Sequence, residues 1–248
     1  SGGTYEDVKI SGSGVVDGDI DAWDVKVSGS AKFRGHVQAK TVKVSGSAKF
    51  YGKVAADEAK FSGSGHVDGD LKVVSLKSSG SLNCQGGVEA RELSISGSMR
   101  VQGDLRADDF RVSGSLRSYG NVEAETFDVS GSFRIDGLLN ASRVDIRHGG
   151  GCTAREIGGD SISVKTGLTN VFWKMLSWVS ELFGLGKRGA LRAELIEGTH
   201  LDLEWTHARV VRGNRVFVGP GCLVDLVEYT ESAYVDPEAS VGEVRQIQ

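Results

Sequence analysis

The sequence predicts an all-β fold, a parallel β-helix of about 17 residues per coil with one amphipathic α-helical insertion. Three observations carry this expectation. The tripeptide Ser-Gly-Ser starts at Ser11, Ser28, Ser45, Ser62, Ser79, Ser96, Ser113 and Ser130, always at the same interval. Between these points apolar and polar residues alternate with period two, as in strands with one buried face. Over residues 169–185 that period changes to the helical one. A short exact repeat is a solenoid signature: one unit cannot bury its apolar face alone, but stacked units can.

Each coil can be numbered from the first Ser of its tripeptide. The sixth place holds Val16, Phe33, Phe50, Val67, Cys84, Val101, Ser118 and Ile135. The tenth, fifteenth and seventeenth places are mainly Val, Ile, Leu or Phe, and the twelfth is Ala except at Val73. The eighth is Gly from Gly18 to Gly137. The alternation changes phase at that glycine and again between places twelve and fifteen. A third bend is expected at Ser-Gly-Ser, with its middle glycine facing inward. Three bends describe a roughly triangular coil of three short strands, stacked about 4.8 Å apart. Columns of branched and aromatic residues then fill the core.

Polar places also form columns. The fifth carries Lys32, Lys49, Arg100, Arg117 and Arg134, and the sixteenth Lys26, Lys43, Lys60, Lys77 and Arg111. Places thirteen and fourteen are acidic, with Asp24, Asp57, Glu58, Glu92, Asp108, Asp109 and Glu125. One face is basic and another acidic. This fits a solvated surface with cross-coil ion pairs, lateral pairing of rods, or docking of an anionic partner.

Before Ser11, Val8 and Ile10 occupy places fifteen and seventeen of a partial coil. After Ile146 the pattern loosens, and Arg147-His148-Gly149 stands in place of Ser-Gly-Ser. Cys152, Ile157, Ile162 and Val164 fit a ninth coil with one inserted residue. Residues 1–164 are therefore read as regular coils, 165–189 as the insertion, and 190–248 as irregular coils that resume the stack.

In the insertion Phe172, Leu176, Trp178, Val179, Leu182 and Phe183 share one half of a helical wheel, with Lys174, Ser177, Ser180 and Glu181 opposite. Thr169 or Asn170 can cap its start, and Gly184 or Gly186 its end. Lys187 and Arg188 suit the negative end of its dipole. Such a helix either covers an apolar patch of the β-helix or docks on a membrane or another subunit. The density of Trp and Phe favours an interface. The scarcity of cations on its polar face weighs against the membrane.

The rest of the composition narrows the function. The 35 glycines and 2 prolines suit short strands with tight corners. A net charge of -4 gives no global pointer to nucleic acid or an anionic membrane. Cys84, Cys152 and Cys222 are single and few, which argues for a reducing, cytoplasmic setting. No stretch reads as a signal peptide, and no apolar run approaches about 18 residues, so no membrane span is expected. The chain begins at Ser1, and a trimmed form is expected.

Catalytic chemistry finds no support. His36 and His66 fall at different coil places, and His200 and His207 can approach each other but lack a third ligand. The ladder serines have no His and Asp partners, and neither phosphate-binding glycine motif occurs. No cofactor, nucleotide or metal is expected, and the protein is read as a non-enzyme.

The seventeen-residue coil, the opening SGGTYEDVKISGSG, repeats such as VSGSAKFRGHVQAKTVKV and the closing ARVVRGNRVFVGPGCLVDLVEY resemble bactofilins. They are most similar to the polymer-forming branch of Gram-positive bacteria. The resemblance covers nearly the whole chain. It implies a right-handed β-helix that assembles end to end without nucleotide, often at the membrane, in support of cell shape, wall synthesis or motility. The partners implied are further copies or paralogous subunits. A membrane surface or membrane protein is a second partner, reached through the 169–185 helix at the inner face of the membrane. Open β-helix ends expose strand edges and core side chains. Val8 and Ile10 at one end, and Val241 and Val244 at the other, are thus the expected polymer contacts. Two alternatives stand beside this: a non-polymerising β-solenoid binding scaffold, and an enzyme like the left-handed β-helix acyltransferases.

Overall fold

A computed structural model of the chain describes residues 2–147, 151–165 and 191–248. The regular structure among them is all β-strand, arranged as a parallel β-solenoid. The chain divides into two compact units, Ser1–Glu125 and Thr126–Gln248. The amphipathic helix expected over 169–185 lies outside the described residues.

In the first unit each turn pairs a long strand with a short one. Ile20–Val27 is followed by Ser30–Phe33, then Val37–Val44 by Ser47–Phe50, and so on to Leu105–Val112 and Ser115–Ser118. Equivalent residues lie side by side, Ile20 with Val37, Val37 with Val54 and Val54 with Leu71. Their offset is the sequence repeat itself. The long strand serves two sides of the coil. Ile20 and Ala22 are buried, Trp23 and Asp24 face outward, and Val25 and Val27 are buried again. Two outward residues in succession change the phase, and pairing resumes at Asp24 with Thr41. The coil is thus three-sided but two-stranded. The three separate strands expected are two, because this bend leaves the hydrogen-bonded ladder on both sides of it intact.

The Ser-Gly-Ser corner also differs from expectation. Its glycine faces the same corner of the preceding turn, not the core. A Cβ added to Gly63 would lie well under 3.0 Å from the Gly46 carbonyl oxygen. The Ser62 and Gly63 amides both donate to the Val44 carbonyl, at 2.8 and 3.2 Å. Gly29, Gly46, Gly80, Gly97 and Gly114 repeat this contact. None of them has a positive φ. The ladder therefore needs glycine for close approach between turns and not for backbone freedom.

Core volumes compensate between columns. Phe33 and Phe50 stack with centroids 4.8 Å apart, and Ala31 and Ala48 sit two residues before them. The Phe61 ring occupies the space that a side chain on Gly65 would take. Large and small residues interdigitate in this way, as close packing of an interior requires. Each buried Phe, Leu, Ile or Val contributes roughly 1.5–3 kcal/mol.

The second unit stacks Ser132–Arg147, Cys152–Lys165, Leu191–Leu203, Thr206–Val218, Leu223–Val235 and Ser240–Gln246. Gly159, Gly198 and Gly213 form another close-approach ladder here, at the bend within the long strands. Val164 pairs with Leu203, and Leu191 with Thr206. The corner between Leu203 and Thr206 consists of Glu204 and Trp205 alone. Trp205 takes a φ of 49° there, and Gly221, at φ 71°, leaves room for its ring.

Candidate assembly sites at the terminal turns

Core columns in both units end on partly exposed residues. Val8 pairs with Val25 and Ile10 with Val27. Val25 and Val27 are buried, whereas Val8 and Ile10 are half-buried, because no described residue stacks over them. Among the described residues Gly3–Ile10 pairs only with Ile20–Val27, so alternate backbone groups of this strand point away from the stack. At the same face Gly12 opens the Ser-Gly-Ser ladder. Nothing lies within 4 Å of a Cβ added to it, unlike every later member from Gly29 to Gly114.

In the second unit Val241 pairs with Val224 and Val244 with Val227. Val224 and Val227 are buried, while Val241 is half-buried and Val244 is 46% exposed. Ser240–Gln246 covers only Leu223–Tyr229, so Ser232–Val235 is paired on one side alone. Tyr234, 54% exposed, stacks on Phe217 at 5.1 Å beside this open edge. Sequence reasoning missed this pair; the spacing of Phe217 and Tyr234 in neighbouring turns was the available signal.

A charged ladder fastens the last strand. Glu197, Arg212, Glu228 and Arg245 occupy one column. Arg212 donates to Glu228 at 2.8 Å, and Arg245 reaches its other oxygen. Hydrogen bonds from Arg212 and then Arg245 hold the Glu228 carboxyl below its ordinary value of 4.5. A depressed pKa means that this pairing stabilises the fold above that value and is lost as the pH falls through the folded pKa. The urea midpoint is expected to drop on acidification below pH 4.5, and by less in Glu228→Gln. Equal drops in the two proteins would show that the ladder contributes nothing.

The residues expected for docking, Phe172, Leu176, Trp178, Val179, Leu182 and Phe183, lie outside the described residues. Of the groups weighed for chemistry, His200 stacks between Ser161 and Arg215, and His207 between Arg192 and Leu223. These are separate columns on different sides of the coil, which corrects the expected approach of the two histidines. Cys84, Cys152 and Cys222 are buried, and burial pushes the Cys84 thiol up to about 12 and the other two up to about 11. They pack as small apolar groups. Among the described residues no cluster of three His, Cys, Asp or Glu side chains can share a metal ion, and no helix is long and apolar enough to cross a membrane.

A family described as bactofilin, polymer-forming cytoskeletal, matches residues 3–89 and 59–156. The overlap of the two matches reflects the repeat. The uncharacterized protein YhbF of Bacillus subtilis (strain 168) is 37% identical over 99 residues, 40% of this chain and 34% of that protein. The uncharacterized protein YhbE of the same strain is 47% identical over 60 residues, 24% of this chain and 25% of that protein. The matched stretches thus span about a third or less of these relatives. No solved structure matches.

Proposed function

The chain belongs to the bactofilin family of polymer-forming cytoskeletal proteins, and from that premise we propose that it is a structural scaffold whose copies join end to end into nucleotide-independent filaments. The observation that carries this reading is the pair of open apolar faces, Val8 with Ile10 and Val241 with Val244. Stacking one such face on another would extend the parallel ladder and bury the half-exposed core columns. The family also supports a right-handed coil, a cytoplasmic setting, and a role in cell shape or motility. Replacing Val8→Asp together with Ile10→Lys is expected to leave a folded monomer that forms no filaments in negative stain. Unchanged filaments would sink the reading.

A finer part of this reading concerns residues 169–185. Their two Trp and two Phe suit the inner face of a membrane, or a partner subunit there. The variant Phe172→Ser, Trp178→Ser, Phe183→Ser is then expected to keep its filaments and lose its sedimentation with liposomes. Liposome binding equal to that of the wild type would remove the segment from the membrane reading.

A further inference from the structure

The side of the unit Ser1–Glu125 built by its short strands carries charges that the fold leaves unused. Its outward residues stand in rows along the stack. In the central row Lys32 stands beside Lys49, followed by His66, Asn83, Arg100 and Arg117. The row two residues on is stacked by backbone bonds from Arg34, Tyr51, Asp68, Gln85, Gln102 and Tyr119 to the turn before. A row of serines from Ser30 to Ser115 flanks the other edge. Over these turns the side holds Lys32, Arg34, Lys49, Arg100 and Arg117 against only two carboxylates, Asp17 and Asp68.

The cations fall into two like clusters. Lys32, Lys49 and Tyr51 recur four turns later as Arg100, Arg117 and Tyr119. Lys49 lies 4.6 Å from the centre of the Tyr51 ring, and Arg117 4.6 Å from that of Tyr119. Asp17 engages Arg34, and Asp68 is shared by Lys49 and His66. Lys32 and Arg100 are exposed and, among the described residues, have no ion pair within 4.0 Å. At about 4.8 Å per turn they stand about 19 Å apart. Between the clusters lie His66, Asp68, Asn83 and Gln85, with no Lys or Arg among them. The Asn83 Oδ1 has no hydrogen-bond partner among the described residues.

We propose that this side binds an extended acidic segment of a partner protein, with one group of carboxylates on Lys32, another on Arg100 and an uncharged spacer between them. An extended chain rises about 3.3 Å per residue, so about six residues span the two clusters. Spacer backbone groups meet the side-chain amides of Asn83 and Gln85. One N–H satisfies the Asn83 Oδ1 once that amide turns outward. A continuous polyanion matches less well, because its charges would also face Asp68 and the turns that carry no cation. A lipid surface meets the field of the whole chain, whose net charge is -4, whereas a narrow segment meets this side alone. The strands that carry the cations are paired on both sides, so little order is lost on binding. Each exposed pair is weak, and affinity comes from two clusters held by one chain. The surface runs along the side of the stack, so it stays open whether or not copies join at their ends.

The test is fluorescence anisotropy of a labelled peptide, Glu-Glu-Ser-Gly-Ser-Ser-Glu-Glu, titrated with the full chain at low salt. The wild type is expected to bind it and to release it near 1 M salt, where the Debye length is about 3 Å. Lys32→Glu with Arg100→Glu should bind at least about tenfold more weakly, through two attractions lost and two repulsions gained. Lys60→Glu with Lys77→Glu makes the same change of net charge on another side and should bind like the wild type. A peptide of the same residues with its four Glu contiguous should bind about tenfold more weakly, since it cannot reach both clusters. Far-UV circular dichroism verifies that each variant is folded. No binding of the spaced peptide, an equal loss in the two double variants, or equal affinity for the contiguous peptide overturns the proposal. So does tighter binding, through Lys32 and Arg100, of a single-stranded oligodeoxynucleotide or of phosphatidylglycerol vesicles.

Discussion

Gly63→Ala is expected to lower the thermal midpoint of the protein by about 10 °C or more. The added methyl group would lie inside the van der Waals envelope of the Gly46 and Ser45 carbonyl oxygens. These are backbone atoms, fixed by hydrogen bonds of 2.8–3.2 Å between neighbouring corners. They cannot rotate away as a flexible side chain would, so two turns must separate. Overpacking of this kind reaches the exceptional class of single substitutions, about 4 kcal/mol or more. For a chain of this size each kcal/mol shifts the midpoint by about 2–4 °C. Melting followed by far-UV circular dichroism measures it. A midpoint within about 2 °C of the wild type would show that the turns can part at negligible cost.

The same change at Gly12 has the opposite expected result. Nothing lies within 4 Å of its added Cβ. Gly12→Ala should therefore melt like the wild type, because no contact within the chain is altered. Its effect should fall on assembly. If another turn stacks over Val8 and Ile10, that turn's corner carbonyls will meet the new methyl as Gly46 would meet Ala at position 63. Filament formation, followed by pelleting and negative stain, should be lost from a fully folded protein. Normal filaments in Gly12→Ala would mean that the polymer contact does not continue the Ser-Gly-Ser ladder. This pair of substitutions separates folding from assembly with one chemical change at two equivalent positions.

The columns at places six, ten, fifteen and seventeen were readable because period-two alternation and a fixed interval each constrain every strand. The columns also run through Val8, Ile10, Val241 and Val244, which pair with the buried Val25, Val27, Val224 and Val227. The glycine of Ser-Gly-Ser was misread. Strict recurrence of a glycine shows that a side chain is excluded but not by what. Here the excluding atom is a carbonyl of a residue seventeen positions earlier, which only the stacked turns bring close. The middle bend was found from its phase change, but its continuous ladder was not, since hydrogen bonding leaves no mark on residue type. His200 and His207, near in sequence, separated onto different sides because a corner at Glu204–Trp205 stands between them.

The charge columns divide in the same way. The positions of Lys60, Lys77, Asp57 and Glu92 within the coil followed from counting. Which charges remain unneutralised did not, because ion pairing depends on side-chain reach between turns. The sequence by itself determined the solenoid, its period and the residues of its core, since those depend on local alternation and repetition. The tertiary structure alone decided what the glycine ladder contacts, how far the terminal core residues are exposed and which charges pair between turns. Each of these depends on atoms brought together by stacking, about 4.8 Å apart in space and a full turn apart along the chain.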